Sequence, residues 1–181
     1  MSTQVTIIGY GTMGRAIAAR LKLRRGVKVF AVGRQTPPAR ADREVTASGY
    51  IIVAVKPQDA QAALGRLQGH MSEKTILVSI MAGVPLKKLT GMAGHKKVVR
   101  IMPNLGLSLG EGIAVWKSAG LSRTEIILAK KFIDLIAENF EVKSEDAINK
   151  ATAISGSGPA YFFLLAESML AAARGFGFSE I

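Results

Sequence analysis

Cysteine is absent from this 181-residue chain. That excludes a disulfide framework, a thiolate nucleophile and any cysteine-based metal site. Histidine is scarce. His70 and His95 stand far apart among loop-like residues, so no histidine metal site is expected and both read as surface residues. The N-terminus enters an apolar run almost at once, without the charged-then-apolar leader of a signal peptide. The longest apolar stretch, residues 159–173, is interrupted by Glu167 and Ser168 and falls short of a membrane span. There is no internal repeat and no low-complexity tract. These absences point to a cytoplasmic protein with no membrane partner.

Acidic residues are also few. Lysine and arginine number 24 against 13 carboxylates, a formal net charge of +11. A nucleic-acid surface is one reading of such a charge. The basic residues, however, are scattered over helix ends and loops in pairs such as Lys87 and Lys88 or Lys130 and Lys131, with no aromatic residues between them. The reading favoured is a solvated basic surface that attracts phosphorylated small molecules, with no nucleic-acid partner. Apolar residues make up 49% of the chain, enough for one domain with a core or for one domain and part of a second.

The most informative residues that are present lie at the start. A β-rich apolar run, VTIIGYGTMG, contains Gly9, Gly11 and Gly14 at the spacing G-x-G-x-x-G and leads into a helix-like pattern. Strand, glycine turn and helix in that order form the first half of a dinucleotide-binding unit. Gly9 permits a tight turn, Gly11 lets the main chain approach a pyrophosphate, and Gly14 lets the helix pack close to the strand. The helix N-terminus then presents N–H groups and a positive dipole end to the phosphates.

Periodicity predicts strands over residues 5–9, 27–32, 50–55, 75–80, 98–102 and 110–116. It predicts helices over 12–24, 57–67 and 122–137, with a short one beginning at Pro85. Residues 35–48 read as a loop with room for a short helix. On the first helix the inner face is Met13, Ala16, Ile17 and Leu21. On the helix from Ser122, which carries a capping box with Glu125, it is Ile126, Ile127, Ala129, Ile133 and Ile136. The fold class is therefore α/β: a Rossmann-type, mostly parallel sheet with helices on both faces. After Val142 the pattern turns helical. Residues 145–153 form a helix, Ser155-Gly156-Ser157-Gly158 a loop, and Pro159 opens an almost wholly apolar helix that runs to Arg174. A helix apolar on every side must be buried or meet a partner. Phe162, Phe163, Leu165, Met169 and Leu170 are thus expected to pack against a second copy in a homodimer.

The second strand ends Val32-Gly33-Arg34, without the carboxylate that binds the ribose hydroxyls of NAD. Arg34 can hold a 2′-phosphate through its forked donors. NADP is favoured over NAD, which stays open.

Further segments complete a pattern. Ala54-Val55-Lys56-Pro57, Ser79-Ile80-Met81-Ala82-Gly83, Val99-Arg100-Ile101-Met102-Pro103-Asn104 and Ser155-Gly156-Ser157-Gly158-Pro159-Ala160-Tyr161 follow the glycine turn in that order. Together they resemble pyrroline-5-carboxylate reductase over the whole chain. The resemblance implies a division into a dinucleotide-binding domain, residues 1–143, and the beginning of an all-helical dimerisation domain, residues 144–181. It implies NAD(P)H-dependent reduction of 1-pyrroline-5-carboxylate to proline. It also implies that Gly9, Tyr10, Gly11, Thr12, Met13 and Gly14 hold the pyrophosphate, and Arg34 with Gln35 the adenosine phosphate side. Ala54, Val55, Lys56, Pro57 and Ala82 would line the ribose and nicotinamide, with Pro103 and Asn104 near the substrate. There are departures. The stretch before Tyr50 is too short for the helix and strand the family places there, the threonine and proline after Asn104 are missing, and the substrate-carboxylate loop Ser-Pro-Gly-Gly-Thr has no counterpart. A shortened reductase, a related NADP-dependent dehydrogenase of another imine or hydroxy acid, and a non-catalytic NADP-binding homologue are the three readings.

No acid–base side chain is assigned. Glu111 and Glu167 read as structural, and Ser155 and Ser157, without a partnered histidine, as loop and cap residues. This suits imine reduction, in which the cofactor carries the difficult step.

Overall fold

Alternation along the first strand divides the core in two. In the computed structural model, which describes residues 3–179, Thr3–Ile8 (β1) sends Val5 and Ile7 into one apolar layer and Ile8 into the other. Its neighbours in a seven-stranded sheet are Val27–Val32 (β2), Tyr50–Val53 (β3), Ile76–Ser79 (β4), Val98–Pro103 (β5), Ile113–Ala119 (β6) and Glu138–Glu141 (β7). The spatial order is β2-β1-β3-β4-β5-β6-β7. Strands β1 to β5 are parallel, β6 is antiparallel to β5, and β7 is parallel to β6. Helices Thr12–Lys22 (α1) and Arg123–Ile133 (α5) cover one face. Pro38–Thr46 (α2), Ala60–Gly65 (α3) and Leu86–Ala93 (α4) cover the other. Glu145–Ala151 (α6) and Gly158–Gly175 (α7) follow β7. This is the expected Rossmann-like, mostly parallel sheet, followed by a long helix. Among the described residues no helix is long and apolar enough to cross a membrane.

The connections decide where a ligand can sit. From β1 the chain crosses through α1 to β2 on one side, and from β2 through α2 to β3 on the other. The crossovers run on opposite faces and part at the C-terminal end of β1, where open α/β sheets have their crevice. No helix and strand intervene between α2 and β3, so β2 is an edge strand of this sheet.

Several expectations need correction. Ile127 does not face the core. It is 56% exposed, and Phe132 fills the inner face of α5, stacked on Tyr50 with ring centroids 3.9 Å apart. Ile127 lies about 200° of helix rotation from Ala129 at 3.6 residues per turn, whereas Phe132 lies beside it. On α1 the fully buried residues are Gly14, Ile17, Ala18 and Leu21, with Met13 and Ala16 half-buried. Residues 35–48 carry a full helix, α2, and its Val45 joins the core. The sixth strand begins at Ile113, not Gly110. Gly110 holds a left-handed turn and Gly112 lies so close to Leu107 that a Cβ would stand 2.6 Å from its Cα. Ser155–Ser157 are not a loop. Residues Thr152–Gly156 form a π-helical turn that continues α6 towards α7, closed by the Ser157 N–H donating to the Thr152 carbonyl at 2.8 Å. Ser157 precedes α7, but its side chain makes no capping bond.

Helix α6 packs on the sheet through Ile148, which is fully buried, and through its first-turn carboxylate. Arg100 on β5 is 2% exposed; its guanidinium donates to Glu145 at 2.9 Å and to the Asn149 side-chain carbonyl at 2.7 Å. Helix α7 differs: none of its residues is buried.

A candidate dinucleotide cleft

At the end of β1 the backbone turns at Gly9, whose φ of +93° favours glycine. A Cβ there would also stand 2.7 Å from the Ala54 carbonyl oxygen. At Gly14 a Cβ would run into the Gly9 carbonyl, so this glycine seats α1 against the turn. Gly11 is different. Among the described residues nothing lies within 4 Å of where its Cβ would be, so their packing does not demand a glycine there. A bare residue facing open space at the N-terminus of α1 leaves room for a ligand against the main chain. Gly11 is the N-cap of α1 and no side chain caps that end, so its first N–H groups have no intrahelical acceptor.

The turn opens on a cleft of about 1090 Å³, at the upper end of small-molecule sites. Of the residues singled out in the sequence, Gly9, Tyr10, Gly11, Arg34, Ala54, Val55 and Lys56 line it. Gln35 lines a shallower depression next to it, shared with Tyr10 and Arg34. Arg34 and Gln35 form the tip of a tight turn in which the Gly33 N–H donates to the Thr36 hydroxyl at 3.0 Å and the Thr36 N–H to the Gly33 carbonyl at 3.1 Å. The Arg34 side chain is 94% exposed and lies 3.8 Å from the Asp59 carboxylate.

Other singled-out residues do not line the cleft. Thr12 and Met13 open α1 at its rim, and Gly14 is buried behind the turn. Pro57 begins the 3₁₀ turn Pro57–Asp59 after Lys56. Ala82 is exposed in the loop after β4. Pro103 is buried as the last residue of β5, paired with Ala114. The Asn104 side-chain carbonyl accepts from the Ile113 N–H at 3.1 Å, which ties the β5–β6 connection. Ala82 follows β4, and Pro103 and Asn104 end and follow β5, at the same strand ends as the glycine turn.

The cleft also contains residues that sequence reasoning passed over: Thr36, Asp42, Gln58, Asp59, Arg66 and His70. His70, expected at the surface, is there with its side chain 41% exposed, in the cleft wall 3.9 Å from Asp42. Helical spacing could not have signalled His70, because α3 ends at Gly65 and residues 66–70 follow in turns, with Gly69 at a φ of +77°. Among the described residues no cluster of His, Asp or Glu could hold a metal ion.

The chain is 30% identical over 99% of its length to the pyrroline-5-carboxylate reductase of Aquifex aeolicus, of which it covers 72%. The chain belongs to the pyrroline-5-carboxylate reductase family. The enzyme of that name from Mycobacterium leprae is 31% identical over 98% of this chain and 67% of its own length. Residues 145–180 match the family described as pyrroline-5-carboxylate reductase dimerisation. The fold agrees as well. A Plasmodium falciparum pyrroline carboxylate reductase, solved with NADP bound, superposes with a TM-score of 0.84 at 28% identity, covering 98% of this chain and 71% of that one. Membership rests on a stretch that includes the glycine turn, the AVKP segment after β3, β5 and the SGSGPAY segment.

Proposed function

We propose that this chain binds NADPH in the cleft and reduces 1-pyrroline-5-carboxylate to proline. The observation that carries the reading is Gly11, bare and facing open space at the N-terminus of α1, in a chain of this family. The turn from Gly9 to Gly14 would hold the pyrophosphate on the main-chain N–H groups of Tyr10, Gly11, Thr12 and Met13, while the Gly9 N–H donates to the Val32 carbonyl at 2.9 Å and Gly14 seats the helix behind the turn. Arg34, with Gln35, would hold the phosphate on the adenosine ribose, and favours NADP over NAD. Ala54, Val55, Lys56, Pro57 and Ala82 would border the ribose and nicotinamide, and Pro103 and Asn104 the substrate end.

When bound, the reduced nicotinamide would supply a hydride to the carbon of the protonated imine, whose C=N π pair returns to nitrogen to give the secondary amine of proline and the oxidised coenzyme. The chain's own share is placement. The small Ala54 and the glycine turn let the cofactor lie close to the sheet, and the C-terminal ends of β4 and β5 carry the residues next to it. Orientation of two reactants at contact distance is itself a large part of the rate.

The chain works as a homodimer in this reading. Tyr161, Phe162, Phe163, Leu165, Met169 and Leu170 are all more than half exposed on α7, in the segment that matches the family's dimerisation region.

The test is proline-dependent reduction of NADP at high pH, with binding of NADPH followed separately by a thermal shift. Turnover together with binding is expected. Binding without turnover would overturn the reductase reading and favour a non-catalytic NADP-binding homologue.

A further inference from the structure

We propose that Arg66 binds the ribose 2′-phosphate of the coenzyme from the wall of the cleft opposite Arg34, and so sets the preference for the phosphorylated coenzyme. The inference rests on the nucleotide reading above.

Helices α2 and α3 each connect parallel strands on the same face of the sheet, so they run in the same direction with the cleft between them. His70 lies across from Asp42, at 3.9 Å. Arg66, the residue that ends α3, precedes His70 and lines the same cleft as Pro38 at the start of α2. Pro38 directly follows the turn that carries Arg34 and Thr36. Arg34, on the turn that leads into α2, and Arg66, at the end of α3, thus line one cleft from its two walls.

Charge separates the two arginines. Three permanent cations line the cleft, Arg34, Lys56 and Arg66, with two carboxylates, Asp42 and Asp59. Asp59 faces Arg34 and Asp42 faces His70. Among the described residues, neither Lys56 nor Arg66 has a carboxylate within ion-pair distance. Lys56 belongs to the turn after β3, close to Gly9 and the pyrophosphate side. Arg66 is the uncompensated cation of the α3 wall; among the described residues Arg40, beside Arg34 in the adjacent depression, has no carboxylate within ion-pair distance either. A phosphomonoester carries close to two negative charges at neutral pH, more than one arginine already tied to Asp59 neutralises. The forked donors of a second guanidinium suit its oxygens. Small residues on the two walls, Ala41, Ala62 and Ala63, leave space for a ligand between them.

The bland alternative is that Arg66, the C-cap residue of α3, only complements the helix dipole. Calorimetric titration of the full chain with 2′,5′-ADP, 5′-ADP, NADPH and NADH separates the two. In the Arg66→Gln variant, affinity for 2′,5′-ADP and NADPH is expected to fall by about tenfold or more. Affinity for 5′-ADP and NADH, and the melting temperature of the free protein, should stay as they were. Arg34→Gln should show the same selective loss. NADPH binding by the wild type that Arg66→Gln leaves untouched, or weakens equally with NADH, overturns this inference alone. A wild-type chain that binds none of the four nucleotides overturns the nucleotide reading and this inference with it.

Discussion

The guanidinium of Arg100 and the carboxylate of Glu145 meet at 2.9 Å across 45 residues of sequence. The same carboxylate oxygen accepts from the Leu86 N–H at the start of α4, also at 2.9 Å. One side chain of α6 thus ties together β5, α4 and the segment that leads to α7. Glu145→Ala leaves the Leu86 N–H without its acceptor and a buried guanidinium without its counter-charge, with Asn149 still accepting from Arg100. The expected loss is about 2–4 kcal/mol in urea unfolding. Replacing both partners by methionine should cost less than the single change, because no charge is then left unpaired. A Glu145→Ala variant as stable as the parent would show that water satisfies Arg100 instead.

The glycines of the turn separate folding from binding. Gly14→Ala drives a Cβ into the Gly9 carbonyl and should destabilise by about 1–3 kcal/mol, as overpacking does. Gly11→Ala meets nothing within 4 Å among the described residues. It should keep the parental melting temperature and lose most of the thermal shift produced by NADPH. A Gly11→Ala variant that binds NADPH normally would remove the main support for seating the pyrophosphate on this turn.

Acid stability should depend on the cap of α5. Lys97 lies 2.6 Å from the Glu125 carboxylate, and the Ser122 N–H and hydroxyl both donate to it at 2.9 Å. Lys97 first, and then Ser122, hold the Glu125 carboxyl at about 2, below its ordinary 4.5. A carboxyl lowered on folding stabilises fully above its unfolded value and loses that contribution as pH falls towards the folded one. The stability gap between the parent and Glu125→Gln should therefore be constant near neutrality and close between pH 4.5 and about 2. A gap that does not change with pH across that window would contradict this assignment.

The exposed apolar helix should make the chain associate. Phe162 and Phe163 are 74% and 60% exposed on α7. Sedimentation at micromolar concentration should show a dimer, and Phe163→Glu should shift it towards monomer while the melting of the sheet domain changes little. A parental chain that sediments as a monomer would refute the homodimer.

What the sequence determined by itself is local and periodic. The spacing of Gly9, Gly11 and Gly14, the β-branched runs of the inner strands and the Ser122–Glu125 capping box each lie within a few residues, and the physics that selects them acts over that range. Motifs in order along the chain were enough for the family as well. Where periodicity had to choose a face it erred at Ile127, because a helix with isoleucine on two sides leaves its orientation to the partner surface. The π-helical turn at Thr152–Gly156 escaped for a related reason: the glycines and serines there read as a break, and the backbone bond from Ser157 to Thr152 spans it. Only the tertiary structure decided the walls of the cleft and the Arg100–Glu145 clamp. Asp42 and His70, or Arg34 and Asp59, come together because α2 and α3 cross the same face of a parallel sheet. Strand order is settled by burial of whole faces rather than by any short stretch of chain.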